Sequence, residues 1–223
     1  MHDERERERR RMIQESLLAR DIVDVRVLQA FDRVPREAFV PPDALALAYE
    51  DEPLAIGHGQ TISQPYVVAW MTQALELTGR ERVLEVGTGS GYAAAILASL
   101  AKEVITLERI PDLAERARAR LAELGYDNVV VEEADGTLGL AARAPFDAIV
   151  VAAGAPEVPA RLREQLVVGG RLVIPIGHDR DVQTLVRVVR TTSGWFEEML
   201  GEVRFVPLIG TEGWADTRES DRS

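Results

Sequence analysis

The chain has 223 residues, 46% of them hydrophobic, enough to bury the core of one domain, and it holds no apolar run near the roughly 20 residues that a membrane span needs. A formal net charge of −11, with Lys and Arg dispersed, argues against nucleic acid as the substrate, because phosphate contacts need clustered cations. With no cysteine and with His2, His58 and His178 scattered, the composition excludes disulfides, cysteine nucleophiles and thiolate metal sites, and offers no histidine cluster for a metal.

In residues 1–11, Arg5, Arg7, Arg9, Arg10 and Arg11 alternate with Glu4, Glu6 and Glu8 at helical i,i+3 and i,i+4 spacings, which reads as a solvated, frayed start. So charged a start is unlike a secretory signal, and the expectation is a cytoplasmic protein without a membrane partner. Over residues 12–31, Ile13, Leu17, Leu18, Ile22, Val27, Leu28 and Phe31 recur at helical spacing with one break, and Asp24 is placed to cap the second helix. Val34-Pro35-Arg36-Glu37 ends it, because a proline disfavours helical geometry in the residue before it; Phe39-Val40-Pro41-Pro42 and residues 49–53 continue extended or as loop. Ile56-Gly57-His58-Gly59-Gln60-Thr61-Ile62-Ser63-Gln64-Pro65-Tyr66 follows, a loop of glycine and small polar side chains ahead of an apolar helix over residues 67–77. Loops of this kind, laid against a cofactor fold, commonly carry function.

Val83-Leu84-Glu85-Val86-Gly87-Thr88-Gly89-Ser90-Gly91-Tyr92 then reads as strand, tight turn and the start of a helix. A dinucleotide fingerprint needs its third glycine where this chain has Tyr92, and Glu85 would repel a pyrophosphate so close by. S-adenosylmethionine, with an ammonium, a sulfonium and no phosphate, suits an acid followed by a glycine turn. Residues 104–107 form a second strand ending in Glu108, about 20 positions beyond the glycines, where an acid can accept from the two hydroxyls of an adenosyl ribose. Pro111 and Asp112 open a helix that Gly125 ends, and residues 128–131 form a third strand leading to Ala134-Asp135-Gly136. Asp135 can bond an adenine amino group or serve an Asp-Gly turn, and the local pattern does not separate the two.

Residues 146–151 are a fourth strand, 162–166 a short helix and 171–176 a fifth strand. Residues 184–190 and 202–207 read as an antiparallel pair completing the sheet, and the tail after Trp214 is polar. Alternating strands and helices, with the glycine turn after the first strand, define an α/β fold. It is a doubly wound, mostly parallel Rossmann-like sheet with an N-terminal helical cap and antiparallel C-terminal strands. The whole chain, residues 1–223, reads as one domain: 12–78 carry the helices and active-site loop, 79–210 the cofactor-binding core, and 211–223 the tail.

Over residues 27–214 the chain resembles the protein-L-isoaspartate O-methyltransferases. The resemblance rests on Val34-Pro35-Arg36-Glu37 with Phe39-Val40-Pro41, on Gly59-Gln60-Thr61-Ile62-Ser63-Gln64-Pro65 and on the glycine turn. Ala144-Pro145-Phe146-Asp147, Gly169-Gly170-Arg171-Leu172-Val173-Ile174-Pro175 and Val203-Arg204-Phe205-Val206-Pro207-Leu208 follow in the same order. The turn is common to many class I methyltransferases; the Gln60 to Pro65 block singles out this family. Small departures are His58, where many members carry an aromatic hydroxyl, and Gly154, where alanine is frequent.

The resemblance implies S-adenosyl-L-methionine as cofactor and isoaspartyl peptides and proteins as substrates, with no metal. It implies that Ser63 is the active-site hydroxyl and that Thr61 and Ile62 line the pocket where cofactor and substrate meet. Gly87, Gly89 and Gly91 would hold the methionine portion, Glu108 the ribose, and Asp135 with Gly136 the adenine side, with Glu85 and Thr88 also among the cofactor-binding residues. A carboxylate of pKa near 4 is ionised at pH 7, so its methylation needs no general base, which accords with an active-site loop of hydroxyls and amides. Carboxylate methylation of a small molecule or a processed peptide would keep every cofactor residue and differ in the substrate loops. A nicotinamide oxidoreductase lacks its third glycine here, and a non-enzymatic adenosyl-binding module would leave the Gln60 to Pro65 block without chemistry.

Overall fold

The computed structural model describes residues 2–179 and 181–216. The end of the expected polar tail, residues 217–223, lies outside them.

The N-terminal third is a helical cap. Helix α1 (His2–Met12) runs through a widened turn (Ile13–Leu17) and a 3-10 turn (Leu18–Arg20) to Asp21, whose left-handed backbone breaks the helix. Helix α2 (Val25–Arg33) restarts behind Asp24, whose side chain accepts from the Arg26 N–H at 2.9 Å. The charged first residues therefore differ from the frayed start expected of them. The Arg–Glu alternation pairs along the helix, as in Arg5–Glu8 and Arg11–Glu15, and buried Met12, Ile13 and Leu17 dock its end on the core.

Residues 54–62, read as loop, fold into a hairpin of β1 (Leu54–Gly57) and β2 (Gln60–Ile62). Gly57, His58 and Gly59 all take positive φ at its tip. Strands this short leave too little alternation to register as strand. Helix α3 (Pro65–Ala74) follows at once, with Pro65 in its first turn.

The remaining chain alternates: β3 (Arg82–Val86), α4 (Tyr92–Ala98), β4 (Glu103–Glu108), α5 (Pro111–Glu123), β5 (Val129–Glu133), β6 (Phe146–Val151), α6 (Ala160–Glu164), β7 (Leu166–Ile176), β8 (Gln183–Thr191) and β9 (Gly194–Val203). The sheet order is β5-β4-β3-β6-β7-β8-β9, parallel through β7 and antiparallel at β8 and β9. Strand order reverses between β3 and β6, which opens a crevice above their carboxyl ends. One face of the sheet packs under α1 to α4 around Phe31, Phe39 and Tyr92. The other packs Leu84, Ile105, Phe146 and Leu172 under α6.

The C-terminal pair departs in register from the expected one. β9 ends at Val203, and residues 204–207 leave the sheet, crossing to Gly154, whose N–H donates to the Val206 carbonyl at 2.8 Å. The sheet's outer strand exposes Trp195, Phe196 and Met199, so burial imposes no alternation that a reader could use.

Candidate active site

The glycine turn is shaped by backbone. Gly87, Gly89 and Gly91 all have positive φ, and the Gly87 and Thr88 N–H groups donate to the Leu107 carbonyl at 2.9 and 3.2 Å. The turn is thereby locked to β4 and forms one wall of a cavity at the switch point. Thr61, Ile62 and Ser63 at the end of the hairpin form the facing wall, with Glu108, Gly136, Val206 and Pro207 around the rim.

Glu108 is fixed by two backbone donors. Its Oε2 accepts from the Gly89 N–H at 2.9 Å and its Oε1 from the Ile110 N–H at 3.0 Å. These bonds orient the carboxylate, and each oxygen retains a lone pair. Gly136 is obligatory, because a Cβ there would stand 2.3 Å from Val86 Cγ1.

Eight of the residues singled out from the sequence line this cavity: Thr61, Ile62, Ser63, Gly87, Thr88, Gly89, Glu108 and Gly136. Glu85, Gly91 and Asp135 do not. Glu85 is wholly buried, with Oε2 2.5 Å from Thr106 Oγ1. Burial pushes its carboxyl up to about 8, against the hydrogen bond with Thr106 and with help from Glu108, so burial weakens the charge that the sequence pattern offers to a cation. Gly91 faces Leu121, which a Cβ would meet at 3.3 Å, and serves the packing of α5.

Asp135 spends its carboxylate within the protein. Oδ1 accepts from the Thr137 N–H and Oγ1 at 2.9 and 2.7 Å, and Oδ2 from the Thr211 N–H and Oγ1, both at 2.9 Å. Burial raises its pKa, but these bonds outweigh burial and hold it below the usual carboxylate range. It anchors a C-terminal strap whose Trp214 donates from Nε1 to the Gly154 carbonyl and whose Asp216 pairs with Arg109 at 2.6 Å beside the cavity.

Sequence reasoning passed over two residues that support the site. Asp51 accepts from the Tyr66 N–H at 2.9 Å and from Gln64 Nε2 at 2.8 Å, and pairs with Arg20 at 2.8 Å. Gln64, at the head of α3, makes no side-chain cap, so Asp51 satisfies an orphan donor from outside the helix and fixes the chain just after Ser63. Arg36 is fully buried; its Nε donates to the Ala48 carbonyl at 2.9 Å and its guanidinium lies 5.0 Å from the centre of the Tyr92 ring, tying residues 48–52 to the start of α4. The signal for Arg36 was its place between a proline and an acid in a motif; Asp51 had only its position in an acidic loop. At the hairpin tip, His58 Nε2 lies 2.6 Å from Asp112 Oδ2 and tethers the hairpin to α5. Among the described residues no group of three or more His, Cys, Asp or Glu side chains could hold a metal, and no helix is long and apolar enough to cross a membrane.

A Rossmann-like sheet, a glycine turn at its switch point and a fixed carboxylate at the end of the next strand are the layout of an adenosyl-cofactor fold, and the likeness to solved methyltransferases makes it the class I methyltransferase fold. Residues 7–213 match the profile of the protein-L-isoaspartate(D-aspartate) O-methyltransferase family. The chain belongs to that family, and by that membership it is an S-adenosylmethionine-dependent enzyme acting on isoaspartyl residues. It is 58% identical over 207 residues to a protein-L-isoaspartate O-methyltransferase 2 of Marinobacter nauticus, covering 92% of this chain and 94% of the relative. A protein-L-isoaspartate O-methyltransferase 1 of Rhodopseudomonas palustris is 55% identical over 217 residues, 97% of this chain and 89% of the relative.

Among solved structures, a protein-L-isoaspartate O-methyltransferase superposes with a TM-score of 0.81 at 29% identity, over 92% of this chain and 67% of its own. A Plasmodium falciparum protein named for the same activity, solved in complex with S-adenosyl-L-homocysteine, gives 0.76 at 30% identity, over 87% of this chain and 95% of its own.

Proposed function

We propose that this chain repairs damaged proteins by methylating the free α-carboxylate of L-isoaspartyl residues, with Ser63 as the group that holds the reacting carboxylate. The observation that carries the reading is the meeting, in one cavity, of the glycine turn with Thr61, Ile62 and Ser63. The bound cofactor supplies an electrophilic methyl group on a sulfonium. Gly87, Thr88 and Gly89 would hold its methionine portion, Glu108 would accept from its ribose hydroxyls, and Gly136 would lie on its adenine side.

The substrate carboxylate arrives ionised, so the residues have only to orient it and keep water away. A bidentate Arg on the reacting oxygen would quench its nucleophilicity, whereas the Ser63 hydroxyl is a neutral donor that orients without neutralising. Val206 and Pro207, beyond the end of β9, and the hairpin strand β2 line the cavity where an extended peptide would lie. The resulting ester carries a methoxy leaving group far better than the oxide of the carboxylate. The next backbone amide nitrogen then attacks the ester carbonyl, methanol leaves as the succinimide closes, and hydrolysis of the succinimide returns part of the residue to aspartate. The same reading takes the chain as one methyltransferase domain working in the cytoplasm, with no nucleic-acid or membrane partner; the dispersed cations and net negative charge support it.

The test is methyl transfer from labelled S-adenosylmethionine to two peptides of identical sequence, one with an isoaspartyl and one with an aspartyl linkage. Label on the isoaspartyl peptide alone, followed by release of volatile methanol, is the expected result. Label on neither would overturn the substrate assignment and point to a small-molecule or processed-peptide carboxylate.

A further inference from the structure

Three buried groups run in a line from the core to the cavity. Glu85 Oε2 is 2.5 Å from Thr106 Oγ1, and Thr106 Oγ1 is 2.7 Å from Thr88 Oγ1. Glu85 and Thr106 have no exposed surface, and Thr88 lines the cavity. Thr106 has one proton to share between its two neighbours, so when that proton is used in the chain the two hydrogen bonds point the same way, and the end that has a proton to give sets the direction. An ionised Glu85 draws both hydroxyl protons inward and leaves Thr88 with lone pairs alone. A protonated Glu85 reverses the chain.

We propose that Glu85 is a positioning residue that works as a neutral acid. It donates to Thr106, Thr106 donates to Thr88, and the Thr88 hydroxyl is left to donate to an anionic group in the cavity, the carboxylate of the cofactor's methionine portion. The surroundings favour this direction. The charged group acting on Glu85 is Glu108, a like charge at the end of β4; β4 otherwise sets Thr106 beside it and β6 sets Val150. Glu85 Oε1 has no partner, an arrangement that costs a buried carboxylate far more than a buried acid.

The inference rests on the cofactor reading above, and S-adenosylhomocysteine, which keeps the methionine carboxylate, is the probe. Calorimetry between pH 6 and 9.5, in buffers of different ionisation enthalpy, reads affinity and proton exchange together. Above pH 8, wild-type affinity falls by up to about tenfold per pH unit, and binding takes up as much as one proton. In Glu85→Gln the amide donates to Thr106 at every pH, so the part of the fall and of the uptake that belongs to Glu85 disappears. In Thr106→Val the chain is cut and the Thr88 hydroxyl no longer answers to Glu85, so the pH dependence is again lost. The ligand's own amine titrates alike in all three proteins and cancels in the comparison.

Wild-type protein that binds without proton uptake at pH 8.5, or Glu85→Gln that retains the wild-type pH dependence, would overturn the proposal and leave the cofactor reading intact. Failure of the wild type to bind S-adenosylhomocysteine at pH 7 would overturn both.

Discussion

The two walls of the cavity are held by different means. The glycine turn is fixed by its own backbone, through positive φ at three glycines and two N–H groups on the Leu107 carbonyl, so its shape is local. The hairpin wall and the C-terminal strap carry backbone bonds of their own but lean in addition on side chains from distant parts of the chain. Carboxylates are prominent among these: Asp51 reaches the head of α3, 13 and 15 residues away, and Asp135 reaches Thr211 across 76 residues. The difference predicts separable damage, with the turn governing whether cofactor binds and the pinned walls governing whether bound groups are well placed.

Breaking the turn side has the largest effect. Gly136→Ala puts a Cβ against Val86, on the strand that feeds the turn, and overpacking of this kind costs about 1–3 kcal/mol. Urea unfolding should show that loss, and S-adenosylhomocysteine affinity should fall by about tenfold or more. Asp51→Ala removes two hydrogen bonds and an ion pair, so about 2 kcal/mol of stability should go with it. Its distinguishing mark is kinetic: kcat/KM for an isoaspartyl peptide falls by about tenfold or more while cofactor affinity changes little, and equal losses in both would erase the contrast.

Asp135→Ala releases the strap at a smaller cost, about 1–2 kcal/mol. Because the folded-state pKa of Asp135 lies below its unfolded value, its contribution is full at neutral pH and is lost as pH falls through the folded value. The gap in thermal midpoint between wild type and variant should therefore be widest near pH 7 and close below about pH 4. A gap that widens in acid would refute the assigned sign.

This contrast also explains what could be read from the sequence. The turn, the parallel strands and Glu108 are local patterns, and glycine spacing or apolar runs announce them. The hairpin β1–β2 is too short to alternate, and β9 is too exposed to need to. Asp135 was open between two roles because four hydrogen bonds, two of them from Thr211, decide it. Glu85 stands in the right motif, yet only its burial between β4 and β6 shows that its carboxyl is pushed up from the usual range. Asp51 left no mark, since an acid in a loop gives no hint that it caps a helix beginning 14 residues later.

The account as a whole turns on Ser63, which sits on the pinned wall and faces the turn. The most direct measurement is a pair on Ser63→Ala: steady-state turnover of an isoaspartyl peptide, and the dissociation constant of S-adenosylhomocysteine. The account predicts that kcat falls by about tenfold or more, the loss expected for one hydrogen bond to a charged group, while the dissociation constant stays within about threefold of wild type. Unchanged turnover would contradict the role given to this hydroxyl, and a loss confined to cofactor affinity would move Ser63 from the substrate side of the cavity to the cofactor side.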